Sequence, residues 1–303
     1  MKAGFVGLVG QPNSGKSSLL NALLKDKLSI VSSKPQTTRK RMLGIVNHGE
    51  DQIILVDSPG LVKAPKGLNA YLEKEAQEII ADVDVVAIVV SVDEKRVESI
   101  DEMIELTRDI HKPKVFIINK VDLKEFEHRV LTLRRMISMA FPDNPILEFS
   151  SQRKAEGESE MAEELFKTFL RYLPESPKAL YDSEILTPQT TREIVTEFIR
   201  EKCFLKLHQE VPYELAVKIE KFSDEDPGLT KIWADIWVAR ESHKGIVIGK
   251  GGALLKAIGT EARLELERFL GHKVFLSLNV VHKPDWFLKG ALMKEIGYVH
   301  DRN

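Results

Sequence analysis

Two glycines, a lysine and a serine stand at a spacing that suits the wrapping of phosphate. Gly10-Gln11-Pro12-Asn13-Ser14-Gly15-Lys16-Ser17, followed by Ser18, fits G-x-x-x-x-G-K-[ST]. Glycine lets the main chain curl until its N–H groups converge on an anion. The lysine then neutralises the outer phosphates, and the Ser17 hydroxyl is placed to ligate Mg2+. A plain Gly/Ser turn has a similar composition. It would not need an apolar strand run before it, Phe5 to Val9, and a helical run after it, Ser17 to Lys25. By itself this loop does not separate the users of one nucleoside triphosphate from another.

Three further segments narrow the choice. Asn119-Lys120-Val121-Asp122 follows the apolar run Val115 to Ile118, at what would be a strand's carboxyl end. A carboxylate such as Asp122 accepts from both the ring N–H and the exocyclic amino group of guanine, which adenine does not offer there. Asn119 and Lys120 would tie the base to the phosphate loop. Asp57-Ser58-Pro59-Gly60 closes another apolar run, Ile53 to Val56; Asp57 would reach Mg2+ through water, and the Gly60 N–H would sense a γ-phosphate. Between them lies a polar stretch from Ser29 to Arg41 containing Pro35-Gln36-Thr37-Thr38-Arg39. A threonine there that ligates Mg2+ only when the γ-phosphate is present makes an order–disorder switch, with Thr38 preferred to Thr37. Ser150-Ser151 ends the Ile146 to Phe149 run, where backbone contact to the guanine oxygen is expected.

Lys16, Thr38 and Gly60 are thus the residues expected to act on the reacting phosphate. The position after Gly60, where many such enzymes carry a glutamine that orients water, is Leu61. Either turnover is negligible, or another group supplies the missing stabilisation. Asn13 bears on the second reading. An asparagine at this place helps hold K+ against the phosphates in one subgroup, so slow, K+-stimulated hydrolysis is expected over cation indifference. Residues 3–173 resemble the small GTPases of the translation-factor-related class. The departure at Ser151, where many members have alanine, keeps a small residue.

The elements that must carry these motifs are legible as alternation. Leu68 to Ala81, Leu123 to Ala140 and Glu160 to Tyr172 have helical periodicity; Val83 to Val92 reads as a buried strand. Near-continuous apolar strands between helices predict an α/β domain with a mostly parallel sheet covered on both faces. Pro174 and Pro177 break the pattern, so residues 1–174 are expected as a GTP-binding domain, 175–189 as a linker and 190–303 as a second domain.

That second domain opens on a capping box, Thr190 with Glu193, ahead of Ile194, Phe198 and Ile199. Alternation marks three strands, through Tyr213–Ile219, Ile232–Val238 and Val274–Val280. Ser242 to Ile248 and Ala253 to Leu270 read as helices between the last two strands. Gly249-Lys250-Gly251-Gly252 joins those helices. A G-x-x-G loop there, in helix-first order, resembles a type II KH domain, an α+β module that grips unpaired RNA, because missing Cβ atoms let the sugar–phosphate chain approach. Lys244, Lys250 and Lys256 lie in a stretch, Ser242 to Thr260, with no acidic residue. Ile246 and Ile248 belong to the same candidate RNA site; each is core or groove, with core preferred. Trp233 and Trp237 share a strand face, for packing on a helix in preference to stacking on bases.

The 303 residues carry a formal net charge of −2, so RNA binding must rest on a local patch rather than on the chain as a whole. Cys203, the single cysteine, excludes a disulfide framework and suits a reducing cytosol. Met1-Lys2-Ala3 runs straight into strand pattern, so no leader is expected, and no apolar run reaches the ~20 residues of a membrane span.

The combination of P-Q-T-T-R, D-S-P-G-L, N-K-x-D, the Pro-containing linker, the KH pattern and Lys283-Pro284-Asp285-Trp286 resembles the Era family of bacterial GTPases over nearly the whole chain. The resemblance implies GTP and GDP with Mg2+ as ligands, and binding of the 3′ end of small-subunit rRNA. It also implies a role in small ribosomal subunit assembly and a cytoplasmic location. It leaves peripheral attachment to the membrane open; a monomer is expected. A tRNA-modification or large-subunit assembly GTPase, and a non-enzymatic RNA chaperone that uses GTP as a structural ligand, stand as the other readings.

Overall fold

The computed structural model describes residues 1–32, 34, 36–61, 66–94, 98–151 and 156–298. Pro35, one of the residues of the polar stretch, and residues 299–303 of the second domain lie outside them. The chain forms two compact units, Met1–Lys63 with Leu72–Pro188, and Ala64–Tyr71 with Gln189–Asn303.

In the first unit the order is β1 (Ala3–Gly10), α1 (Lys16–Leu24), β2 (Met42–His48), β3 (Asp51–Asp57), α2 (Gly67–Asp82), β4 (Val85–Ser91), α3 (Glu98–Arg108), β5 (Lys114–Asn119), α4 (Glu127–Ala140), β6 (Ile146–Phe149) and α5 (Glu156–Tyr172). The sheet runs β2-β3-β1-β4-β5-β6, parallel except for the antiparallel edge strand β2. Covered on both faces, the central strands have no polar side to show: every residue of β4 is buried, and so is all of β5 after Lys114. Phe116 and Phe141 meet at 4.9 Å between ring centroids inside the cluster under α3 and α4. Because the strands run parallel and in register (Leu8 beside Asp57, Ser91 beside Asn119, Asn119 beside Phe149), all four motifs leave the sheet at one edge. Two elements were not read from the sequence. In β2, Gly44 and Asn47 interrupt the apolar run; in α3, the buried Ile100, Met103 and Ile104 have helical spacing amid acidic residues.

The second unit contains α6 (Thr191–Lys206), β7 (Leu215–Asp226), β8 (Leu229–Val238), α7 (Glu241–Ile248), α8 (Ala253–Leu270), β9 (Lys273–His282) and a short α9 (Gly290–Glu295). The Thr190 hydroxyl caps the Glu193 N–H while the Glu193 carboxylate accepts from the Thr190 N–H at 2.9 Å, so the capping box is formed. β8 lies between antiparallel β7 and parallel β9. Ile232, Ala234 and Ile236 face the helices, where Phe198 of α6 meets Phe269 of α8 edge-on at 5.4 Å. Cys203 is fully buried in α6; burial pushes its thiol up to about 12, so it packs rather than reacts. Tyr213 lies ahead of β7 in a turn, edge-on to Phe204. Trp237 is fully buried and Trp233 half-buried.

The expected linker is held along the first unit. Ile45 N–H donates to Leu186 O at 2.8 Å, and Asn47 Nδ2 to Ser183 O at 3.0 Å. Buried Gln52 donates to Tyr181 O and accepts from the Leu180 and Tyr181 N–H groups, each at 2.9 Å. Gln52→Ala is expected to cost about 1–2 kcal/mol in urea unfolding and to speed protease cleavage between Pro174 and Pro188 several-fold. An unchanged cleavage rate would mean that Gln52 does not hold this segment.

Candidate functional site

The loop after β1 turns on Gly15, which has φ +92°, and a Cβ there would run into Asn119 Nδ2. That contact is productive, because Asn119 Nδ2 donates to Ser14 O at 2.9 Å and so joins the end of β5 to the loop. Leu61 N–H donates to Gly10 O at 3.0 Å, joining the segment after β3 to the same loop. Lys16 is buried and donates to Gly10 O at 3.1 Å and Gln11 O at 2.8 Å. Burial lowers its ammonium from the usual 10.5 to about 8, against an upward pull from Asp57. The Gln11 side chain turns away to Ser99 O. Asn13, exposed at φ +65°, lines the cavity with Pro12 and Ser18.

Ser17, Thr38 and Asp57 come from α1, the polar stretch and the end of β3, yet meet at one point. Ser17 Oγ donates to Asp57 Oδ2 at 2.6 Å and lies 2.8 Å from Thr38 Oγ1, which is 3.3 Å from the same carboxylate oxygen. Asp57 is fully buried; burial pushes its carboxyl upward, and the Lys16 charge and the Ser17, Ser29 and Thr38 hydroxyls pull it back. Among the described residues no group is placed to close a hydrogen bond to its buried Oδ1. An all-oxygen set of two hydroxyls and a carboxylate with an unsatisfied atom fits Mg2+. Thr37 is directed elsewhere, its hydroxyl donating to Lys34 O at 2.7 Å.

At the other end, Lys120 donates to both Asp93 oxygens, at 3.0 and 2.9 Å. Buried Ser150 donates to Asp122 Oδ1, which aims the second Asp122 oxygen elsewhere, and Ser151 lines the wall beside it. Lys16, Ser17, Thr38, Gly60, Lys120, Asp122 and Ser151 surround one cavity of about 410 Å3. Asp93 and Leu123 line it too. Sequence reasoning passed over them because a lone Asp after a strand and a Leu after N-K-x-D carry no pattern of their own.

In the second unit the loop from Gly249 to Gly252 turns through positive φ at Gly249, Gly251 and Gly252 (73°, 60° and 78°). A Cβ at Gly251 or Gly252 would meet open space, so the loop presents bare backbone outward. Lys250 and Lys256 are exposed and Lys244 is half-buried. Core was the preferred reading for each isoleucine, and Ile246 departs from it: α7 turns it outward, 48% exposed, while Ile248 is half-buried. Beside the loop, Gly252, Leu255, Lys256, Arg263, Leu276 and Leu278 line a groove of about 370 Å3 between α8 and β9. The two leucines of β9 were read only as strand alternation; nothing in a single strand shows which helix it will face.

Comparisons with known proteins agree with this division. Residues 5–120 match the family model described as a 50S ribosome-binding GTPase, and residues 210–286 match a KH domain model. The chain is 40% identical to GTPase Era of Geobacter metallireducens, covering 98% of both chains. It is 37% identical to that of Ruminiclostridium cellulolyticum, covering 100% of this chain and 99% of the relative. Among solved structures, a variant of Aquifex aeolicus Era bound to GDP·AlF4− superposes with a TM-score of 0.90 at 37% identity, over 99% of this chain and 100% of that one. So does Era in complex with MgGDPNP and nucleotides 1506–1542 of 16S ribosomal RNA, at 0.90 and 36%, with the same coverage.

The depressed Lys16 ammonium has a consequence for binding. Phosphates beside it restore the charged form, so binding takes up a proton wherever the free site has lost one, and affinity falls as pH rises above about 8. Calorimetry of GDP binding in buffers of different ionisation enthalpy should show a substantial fraction of a proton taken up at about pH 8.5 and almost none from this group at about pH 7. Zero uptake at the higher pH would show that the free site keeps Lys16 charged.

Proposed function

This chain belongs to the Era family of GTPases, and on that premise we propose that it is a switch that hydrolyses GTP to GDP and phosphate in its first unit and binds unpaired RNA through its second. The target is the 3′ end of small-subunit rRNA, and the role is in small ribosomal subunit assembly. The observation that carries the nucleotide half is the meeting of Ser17, Thr38 and Asp57 beside buried Lys16, at one end of a cavity whose other end holds Asp122. The RNA half is supported by the bare G-x-x-G backbone and by the relative solved with an rRNA segment.

The residues divide the work by position. Backbone from Gly10 to Ser18, through Gln11, Pro12, Asn13, Ser14 and Gly15, wraps the phosphates, and Lys16 neutralises the outer ones. Ser17 and Thr38 would hold Mg2+ directly and Asp57 through water, and the ion when bound would supply neutralisation of the charge that develops on the phosphates. Asp122 reads the guanine edge, Asn119 and Lys120 fix the base to the loop, and Ser150 and Ser151 frame the guanine oxygen. The Gly60 N–H reports the γ-phosphate. Leu61 packs against the apolar core of the sheet, and its side chain has no polar atom to orient water. Slow turnover follows on this reading, and Asn13 would hold a K+ that supplies the missing neutralisation. Gly249, Lys250, Gly251 and Gly252 grip the RNA backbone, with Lys244 and Lys256 adding charge and Ile246 and Ile248 apolar contact. The GTP-binding part corresponds to residues 1–174 and the RNA-binding part to 190–303. A cytoplasmic, monomeric protein goes with this reading; peripheral membrane contact rests on the family resemblance alone.

Two measurements test it. A labelled oligonucleotide matching the rRNA 3′ end should bind markedly tighter with a non-hydrolysable GTP analogue than with GDP or no nucleotide. Equal binding in all three states removes the gating, and no binding in any state removes the RNA assignment. Single-turnover hydrolysis should be faster in K+ than in Na+, and Asn13→Ala should level the two. Equal rates in the unaltered protein would discard the K+ role.

A further inference from the structure

The second unit carries Trp233, Trp237 and Phe275 on the sheet face turned away from α6 and α8, and they differ in cover. Trp237 is fully buried, with Lys283 Nζ 4.9 Å from its ring centroid and Lys218, bonded at 2.8 Å to Glu295 of α9, at 5.9 Å. Further along that face, Trp233 is half-buried and pairs with Phe275 at 5.6 Å, and Phe275 is 48% exposed. Lys221 Nζ sits 5.1 Å from the Trp233 centroid. Strand register places Lys221 beside Trp233 and Lys231 beside Phe275, while Lys273, two residues before Phe275, turns its ammonium to Glu267 of α8 at 3.9 Å. A partly exposed aromatic pair flanked by Lys221 and Lys231 suits a ligand that brings flat rings and negative charge together.

β9 links this face to the groove. It is an edge strand, and its residues alternate: Leu276 and Leu278 line the groove beside Gly252, while Phe275 and Ser277 point to the opposite face. A strand of RNA leaving the groove needs to pass only one strand's edge to reach the aromatic pair. We propose that Trp233 and Phe275, with Lys221 and Lys231, form a second RNA contact that stacks an unpaired base continuing from the G-x-x-G groove. This rests on the RNA-binding reading above. Aromatic stacking tolerates any base, so the platform adds affinity rather than sequence choice.

The chain itself contains the reporter. Of its three tryptophans, Trp237 and Trp286 are fully buried, which leaves Trp233 for a base to quench. With the full chain, a short RNA of about four unpaired nucleotides fills one groove, and one of about twelve has length to spare. The long RNA should quench tryptophan fluorescence and the short one should not. Phe275→Ala should weaken the long RNA about 5- to 10-fold and leave the short RNA and the unfolding midpoint unchanged; Lys221→Ala should act in the same direction. Equal losses for both RNAs, or no loss and no quenching, overturn the platform while the groove stands. If Phe275→Ala spares both RNAs but lowers co-sedimentation with anionic vesicles, the face belongs to a lipid surface and the proposal is equally overturned. If neither RNA binds the unaltered chain, the RNA reading falls and the platform with it.

Discussion

Asn119 holds the nucleotide site in one piece. Its amide donates across to Ser14 O, and Gly15 gives it room, so the end of β5, with the residues proposed to read the base, is fixed to the loop proposed to wrap the phosphates. Parallel strands make this reach possible, because β1, β3 and β5 all run out on the same side of the sheet, with the end of β5 two residues beyond that of β1. Without the sheet the bond would have nothing to span, and without the bond the two ends of the cavity would be set independently.

A second constraint is buried charge. Lys16 and Asp57 are both taken out of water, and each shifts toward its neutral form by burial while the other pulls it back. Isolated, either would be costly; together with the Ser17 and Thr38 hydroxyls they form a compact polar group that has more donors and acceptors than partners. Sites of this kind are built around a charged guest. The second unit handles charge differently: Arg200 is fully buried on α6 with its guanidinium against Glu197, at 3.0 Å through Nε, and Lys202 lies between Glu201 and Glu265. There each buried cation has an anionic side chain of the same unit against it.

Much of this was legible in the sequence because chemistry leaves few choices. Phosphate wrapping demands glycines at fixed places, and guanine demands a carboxylate after an apolar strand, so Gly15, Lys16 and Asp122 announce themselves. The strands around them are apolar throughout and read easily. β2 did not, because an edge strand tolerates Gly44 and Asn47, whose neighbours decide their cover. Asp93 stayed hidden for another reason: its importance lies in being within reach of Lys120, a distance between two loops that no spacing in the chain encodes. The groove wall of Leu276 and Leu278, and the pairing of Trp233 with Phe275, depend in the same way on which elements come to lie together.

The segment from Pro174 to Pro188 does more than connect. β2 ends the sheet, and the outer side of such a strand offers unpaired N–H and C=O groups to any other chain with strand-forming habit. Leu186 and Ser183 occupy part of that side through Ile45 and Asn47, and Gln52 of the neighbouring β3 holds the segment at Tyr181. The first unit therefore finishes its own solubility only after its last helix. A fragment cut at Tyr172 would keep every nucleotide-site residue and still present a raw sheet edge, prone to self-association, whereas one extended to Pro188 would carry its own guard strip.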